Sequence, residues 1–284
     1  MKKIKVGGVP EHFNLPWHLC IENGNFLKEQ LEVSWQDFPG GTGAMCNALR
    51  KKEIDVAIIL TEGFVKDRIA GNPSKIVQTY IETPLIWGIH VNAKSSYQNI
   101  SDLQHTKAAI SRYGSGSHLM AYVNAQQQHW KTDELAFQVV GNLNGAIESL
   151  DQGTSDYFMW EHFTTKPLVD NGTFRNISDC PTPWPCFVIV VREEVIEKQP
   201  DRIKKMLTVI NTETINFKQK NGVAELLADR YNQKLDDITK WLNLTEWSQQ
   251  QISSDTLTKV QNQLHELKII DKIVDASVLS ISQT

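Results

Sequence analysis

A glycine-rich loop lies between a strand-like run and a helix-like run twice in this chain. The first is Phe38-Pro39-Gly40-Gly41-Thr42-Gly43, which follows Leu31–Trp35, and the second is Ser111-Arg112-Tyr113-Gly114-Ser115-Gly116-Ser117, which follows Lys107–Ile110. A loop of this kind leaves backbone N–H groups unpaired at a helix start, where the helix dipole favours negative charge. Two of them, in similar places in two α/β stretches, predict two lobes whose helix N-termini face a shared cleft.

The rest of the pattern agrees. Residues 4–9 alternate like a first strand, Pro16–Glu29 reads as a helix that ends near Gly24 or just beyond it, and Gly43–Lys52 reads as a helix with Ala44, Met45, Ala48 and Leu49 on one face. Ile54–Leu60 is a near-continuous apolar run, as expected of a buried parallel strand. Strand and helix alternate, which indicates α/β architecture with a parallel sheet. Strands at 75–80 and 85–91 precede a new α/β stretch with strands at 107–110, 137–140 and 157–160, and a further one at 173–177. After the stiff Thr182-Pro183-Trp184-Pro185-Cys186, Phe187–Val191 reads as another buried strand. Everything beyond Arg192 reads as helix, roughly 193–197, 200–219, 222–230, 234–242 and 253–266. The expected organisation is lobe I over 1–86 and 187–284, with lobe II over 87–186. Two extended crossings between such lobes make a hinge.

With 284 residues, a net charge of −4, 40% apolar and 22% charged residues, the chain is long enough for an ample core and is not disordered. The charge argues against a nucleic-acid surface. Met1-Lys2-Lys3 looks like the basic start of a leader, but no apolar stretch follows, and no run of about 18 apolar residues exists to enter a membrane. As written the sequence is expected in the cytoplasm, or in the periplasm if a leader has been trimmed from it. The four cysteines form no CxxC, and no Cys/His spacing matches a zinc site, so neither metal nor cofactor is expected.

Ligands in open α/β sheets bind at the carboxyl ends of strands. That rule selects Pro10, Glu11 and His12, then Gly40, Gly41 and Thr42, then Thr61 and Glu62, and in the second lobe Arg112, Gly114, Ser115, Gly116, Ser117, Trp160 and Glu161. Arg112 beside exposed backbone donors can hold a carboxylate, sulfonate or phosphate through paired hydrogen bonds, or serve as a salt-bridging arginine. Glu62 and Glu161 either do acid–base or amine-binding work or act as helix-start and salt-bridge charges. Trp87, Trp160 and Trp184 can stack on a flat ligand or simply pack. Trp130, Trp241 and Trp247 read as packing residues, and His12 with His18 lacks metal-like geometry.

Taken together, Gly8–His12, Phe38–Gly43, Ile54–Ala57, Leu60–Gly63, Ser111–Ser117 and Phe158–Glu161 resemble the type 2 periplasmic-binding-protein superfamily. The branch is the one near the binding proteins for nitrate, alkanesulfonates and thiamine-precursor pyrimidines, and its signal-less intracellular bacterial and fungal members are most similar. The resemblance spans about residues 4–245. It implies a monomeric solute-binding protein, like the substrate-binding component of an ABC transporter, that closes about a hinge on a small polar, planar or anionic ligand, with a permease or signalling protein as a partner. Fungal thiamine-pyrimidine synthases share the fold and imply the alternative, a cytosolic enzyme of related small-molecule metabolism. They use a cofactor-bearing lysine, a histidine and a cysteine-rich iron site, whereas here no Lys or His lies between Trp35 and Met45 and no Cys-Cys-Cys run exists.

Overall fold

The computed structural model describes residues 3–281; Met1 and Lys2 of the basic opening lie outside the described residues. The chain forms two compact units, one of Met1–Thr83 with Trp184–Thr284 and the other of Pro84–Pro183.

The first unit is built on five strands: β1 (Ile4–Gly8), β2 (Val33–Asp37), β3 (Val56–Leu60) and β4 (Ser74–Ile81), which precede the second unit in the chain, and Phe187–Arg192, which follows it. The second unit holds β5 (Ile86–Asn92), β6 (Lys107–Ile110), β7 (Ala136–Val139), β8 (Tyr157–Glu161) and β9 (Phe174–Pro181), so the strand at Phe187–Arg192 is β10. The sheet orders are β2-β1-β3-β10-β4 and β7-β6-β8-β5-β9. Neither sheet is wholly parallel, which corrects the expectation from the strand–helix alternation. β1 runs parallel to β2 and β3, and β6 to β7 and β8, but β10 is antiparallel to both neighbours, as is β5. β5 and β10 are the strands by which the chain enters each unit, and the alternation rule holds only for the strands that helices connect.

Composition follows position in the sheets. Val56–Ile59 and the whole of β10 are buried, as a strand covered on both faces requires, whereas the edge strands β2 and β7 are half-buried or exposed. Each fully buried Val, Ile or Leu side chain contributes about 1.5–3 kcal/mol. In the second unit Ala109, Ala146, Leu150, Phe158 and Phe174 form a core cluster.

In the first unit the helices are α1 (Leu15–Glu22), α2 (Asn25–Lys28), α3 (Gly41–Arg50) and α4 (Thr61–Ile69). The helix expected to end near Gly24 or just beyond it ends at Glu22, and Gly24, at φ 66°, makes a left-handed turn that starts α2 as a separate helix. α3 begins two residues earlier than expected, and its buried stripe is Met45, Cys46, Ala48 and Leu49, with Cys46 in the place assigned to Ala44. The second unit carries α5 (Gly116–Gln127), α6 (Leu143–Asp151) and α7 (His162–Asp170). After β10 come α8 (Glu193–Lys198), α9 (Pro200–Ile215), α10 (Val223–Tyr231), α11 (Leu235–Leu244), α12 (Ser254–Glu266) and α13 (Ala276–Leu279).

This last stretch is not purely helical. Residues 246–250 run along β4, with Glu82 N–H donating to Glu246 O (2.9 Å), Ser248 N–H to Tyr80 O (2.9 Å) and Thr79 N–H to Gln250 O (2.9 Å). Ile281 N–H donates to Ile76 O at 3.0 Å farther along. The tail therefore covers an edge whose open backbone groups would otherwise invite another strand. No helix among the described residues is long and apolar enough to cross a membrane.

Candidate functional site

Because β1, β2 and β3 run parallel, the loops that follow them lie at one end of the first sheet. After β1, Pro10 is exposed and Glu11 half-buried, while His12 is 1% exposed. The His12 ring stacks on Phe13 at 5.0 Å and meets Trp241 edge-on at 4.1 Å. Burial alone pushes its pKa down to about 3, so it is a neutral imidazole, and its Nε2 has no partner. After β2, Trp35 Nε1 donates to Asp37 at 2.7 Å, and a turn closed by Gly41 N–H on Phe38 O leads from Gly40 into α3. The Thr42 methyl lies so close to Gly63 that a Cβ there would sit 2.4 Å from it, so α3 and α4 touch at their first turns.

After β3, Thr61 is committed to the chain's return. Its hydroxyl donates to Pro185 O (2.6 Å) and is 3.2 Å from Cys186 O, while its N–H donates to Cys186 O (3.1 Å). Glu62, 1% exposed, accepts from Trp184 Nε1 at 2.8 Å through Oε2, and its Oε1 has no partner. Burial raises its pKa from 4.5 to about 7, against the lowering effect of its hydrogen bonds.

In the second unit β6, β7 and β8 likewise end together. Ser115 caps α5, its hydroxyl accepting from His118 N–H at 3.3 Å, and Ser117 Oγ accepts from Ser111 N–H at 3.0 Å. Ser115 N–H is used inside the loop, on Arg112 O. The N–H groups of Gly116 and Ser117 have no partner among the described residues, and neither does the exposed Arg112 guanidinium. Gly114 N–H donates to His118 Nδ1 at 3.0 Å. The loop thus carries an exposed guanidinium without a partner and, at the start of a 12-residue helix, two free backbone donors.

Glu161 is 4% exposed and caps α7, with Oε2 accepting from Thr164 N–H (2.6 Å) and Thr164 Oγ1 (2.7 Å). Burial raises its pKa against those bonds. Trp160, half-buried, stacks on Phe158 at 5.5 Å and leans on the unit's core cluster; Trp87 meets it edge-on at 6.3 Å and keeps an unpartnered Nε1.

Sequence reasoning missed several polar residues. His162 and Asp179 form a 2.8 Å pair that Asn176 joins at 3.1 Å, and the hydrogen bond to Asp179 raises the His162 pKa. His90, held neutral by burial with its pKa near 4, shares a 2.7 Å hydrogen bond with Thr165. These pairs join β5 or β9 to α7 across many residues, and only strand register brings them together. Tyr231 and Gln233, at the end of α10 and just beyond it, were likewise unmarked. Among the described residues no group of three or more His, Cys, Asp or Glu side chains could hold a metal ion.

Residues 87–180 match the family model described as Ca3427-like PBP. No curated protein matches the chain. Among solved structures, the Candida albicans CA3427 gene product is 26% identical, with TM-score 0.88 over 97% of this chain and 93% of that one. It is described as defining a new family with the generic periplasmic-binding-protein fold. The periplasmic aliphatic sulphonate binding protein SsuA of Escherichia coli aligns at 18% identity and TM-score 0.78, covering 100% and 93% of the two chains. The alkanesulfonate-binding protein SsuA of Xanthomonas axonopodis pv. citri, bound to MOPS, aligns at 14% identity and TM-score 0.80, covering 98% and 97%.

Proposed function

We propose that this chain, whose fold is that of the type 2 periplasmic-binding-protein superfamily, binds a small polar ligand carrying an anionic group and closes its two units about that ligand. The observation that carries this reading is the start of α5. Arg112, in the loop that leads into that helix, has no partner, and the Gly116 and Ser117 N–H groups at the helix start are free. A tetrahedral or planar oxyanion satisfies such a set of donors through charge-assisted hydrogen bonds. Two structural neighbours are named for binding sulfonates, which have this chemistry.

Calorimetry with ethanesulfonate and methylphosphonate, together with mass spectrometry of small molecules released from the purified protein, tests it. Arg112→Ala weakens binding of the anionic probe about ten- to a hundredfold, at ~1.4 kcal/mol per decade. Arg112→Lys recovers part of the loss, because an ammonium lacks the planar fork. Unchanged affinity in a folded Arg112→Ala protein, or no retained or added anion at all, would sink the reading.

A second reading, an enzyme of small-molecule metabolism on the same fold, rests on Glu62. With its pKa near 7 and one oxygen free, Glu62 is poised to take or give a proton at neutral pH. Turnover of the released molecule that disappears in Glu62→Gln while binding persists would favour it.

A further inference from the structure

The end of α10 gathers polar atoms that the first unit leaves unpaired. Tyr231 is its last residue; its ring stands edge-on to His12 at 6.0 Å, and its hydroxyl is buried without a partner. Asn232 then turns left-handed at φ 50°, and Gln233 N–H reaches back to Ala228 O at 2.9 Å, the closing bond of a Schellman turn. This fixes Gln233 at the helix end, with its Oε1 buried and unpartnered. His12 Nε2 and Trp241 Nε1, on rings 4.1 Å apart, are in the same condition. Buried polar atoms destabilise a fold unless something supplies their partners, and a group of them on touching or adjacent residues calls for a common one.

We infer that Tyr231 and Gln233 of the α10–α11 turn, with His12 and Trp241, form a second binding wall that receives a neutral donor–acceptor group of the ligand, of the carboxamide or aminoheterocycle type. The inference goes beyond the anion site proposed above and rests on the sequence-derived expectation that the loop after β1, with His12, faces the ligand. The available atoms alternate in kind. Gln233 Oε1 accepts, the Trp241 indole donates, the Tyr231 hydroxyl does both, and His12 does either according to its tautomer. None of them is charged. Burial holds His12 neutral and pushes the Tyr231 hydroxyl up to about 12. The nearby Arg230 guanidinium is committed to Glu22 through bonds of 2.7 and 3.1 Å. The carboxylates of Asp37, Glu22 and Glu11 act on the Tyr231 hydroxyl, so an anion in this place would be repelled, whereas the edge of an amide or an aminoheterocycle presents the matching donors and acceptors.

The test uses nicotinamide and 4-aminopyrimidine at millimolar concentration as neutral probes. At least one raises the melting temperature of the wild-type protein, and Tyr231→Phe weakens its binding about three- to tenfold, as the loss of one neutral hydrogen bond does. Without probe, Tyr231→Phe melts about 1–2 °C higher than wild type, because it removes a hydroxyl that has no partner. Gln233→Met shows the same two effects. Arg112→Ala leaves the neutral-probe shift intact, which separates this inference from the anion reading. A Tyr231→Phe protein that melts lower with probe binding unchanged would mean that bridging water holds the hydroxyl, and would overturn the proposal. So would the absence of any shift with either probe. If ethanesulfonate binding depends on Arg112 while neutral probes ignore Tyr231, this inference alone falls.

Discussion

Replacing Glu62 by Gln will make the ligand-free protein more stable above neutral pH and leave it nearly unchanged at about pH 4. The carboxyl is sealed from solvent, with Trp184 Nε1 donating to Oε2 and Oε1 left without a partner. Its pKa in the folded chain is about 7, against 4.5 for the free side chain. An acid whose folded pKa is raised binds more protons folded than unfolded throughout that window. Its contribution is therefore fully present below pH 4.5 and is lost as pH rises through 7. At ~1.36 kcal/mol per pH unit of displacement the loss amounts to about 3 kcal/mol by pH 8. A glutamine keeps an oxygen for Trp184 and cannot ionise. It also leaves a buried N–H where protonated Glu62 leaves a buried O–H, so the two are about equal at low pH.

Urea unfolding of both proteins at pH 5, 6, 7, 8 and 8.5, followed by fluorescence, measures this directly. Glu62→Gln should already lead by about 1 kcal/mol at pH 5 and pull away progressively, to about 3 kcal/mol at pH 8.5 if the slopes with denaturant are equal. His162 and Glu161 also titrate abnormally, but they are present in both proteins and cancel in the difference. Trp184→Phe provides the control. It removes a donor that favours the charged form, so its loss of stability with rising pH should be steeper than that of wild type. Parallel midpoints across the range would refute the assignment and mean that Glu62 is solvated or ion-paired in solution.

The acid limb has the opposite sign. His12 and His90 are held neutral with pKa values of about 3 and 4 against 6.5 unfolded, so stability falls as pH drops below 6.5, by about 3 kcal/mol apiece near pH 4. His12→Phe should flatten that limb by one group's share in urea titrations between pH 4 and 7, and an unchanged slope would count against a neutral His12. Gly145→Ala should be severe, because a Cβ there would stand 2.0 Å from Val140 O, a backbone atom that cannot rotate away. A loss of several kcal/mol, about the upper end for overpacking, is expected by thermal unfolding, and a loss under about 0.5 kcal/mol would mean that α6 starts differently.

The sequence was most legible where a single local rule decides. The apolar run before Thr61 could only be a covered strand, and the stretches at 193–197, 234–242 and 253–266 read as helices and are helical. Legibility failed where tertiary pairing overrides the local pattern. Nothing in Phe187–Val191 says that it runs antiparallel between β3 and β4, and nothing in Trp247 or Gln250 says that they lie along the edge of β4. At the strand ends, residue types fixed which groups were worth watching, but not their commitments. The structure spends Thr61 on Pro185 and Cys186 and gives Glu161 to the first turn of α7, while it leaves Glu62 Oε1 and the Arg112 guanidinium unpaired. Tyr231 and Gln233 escaped because their significance depends on a left-handed Asn232 and on a neighbour more than two hundred residues earlier in the chain.

The two sheets repeat one plan, and the repetition bears on how binding can be felt. In each, three parallel strands in the order second, first, third are followed by an antiparallel strand that has just arrived from the other unit, then by the strand that departs for it. The arriving strands β5 and β10 are therefore interior, bonded on both sides, and the short stretches around 82–85 and 181–186 carry the chain from one unit to the other. Those stretches are themselves paired: Cys186 N–H donates to Thr83 O at 3.2 Å, Thr182 N–H to Leu85 O at 3.0 Å, and Leu85 N–H to Thr182 Oγ1 at 3.0 Å. Thr61 and Glu62, from the end of β3, bond to Pro185, Cys186 and Trp184 in the second stretch. A ligand that engages the free oxygen of Glu62 thus changes the charge and hydrogen bonding of a residue one contact away from the connection. Under the binding reading proposed above, closure would act through these stretches, and Glu62 is the residue by which a ligand would reach them.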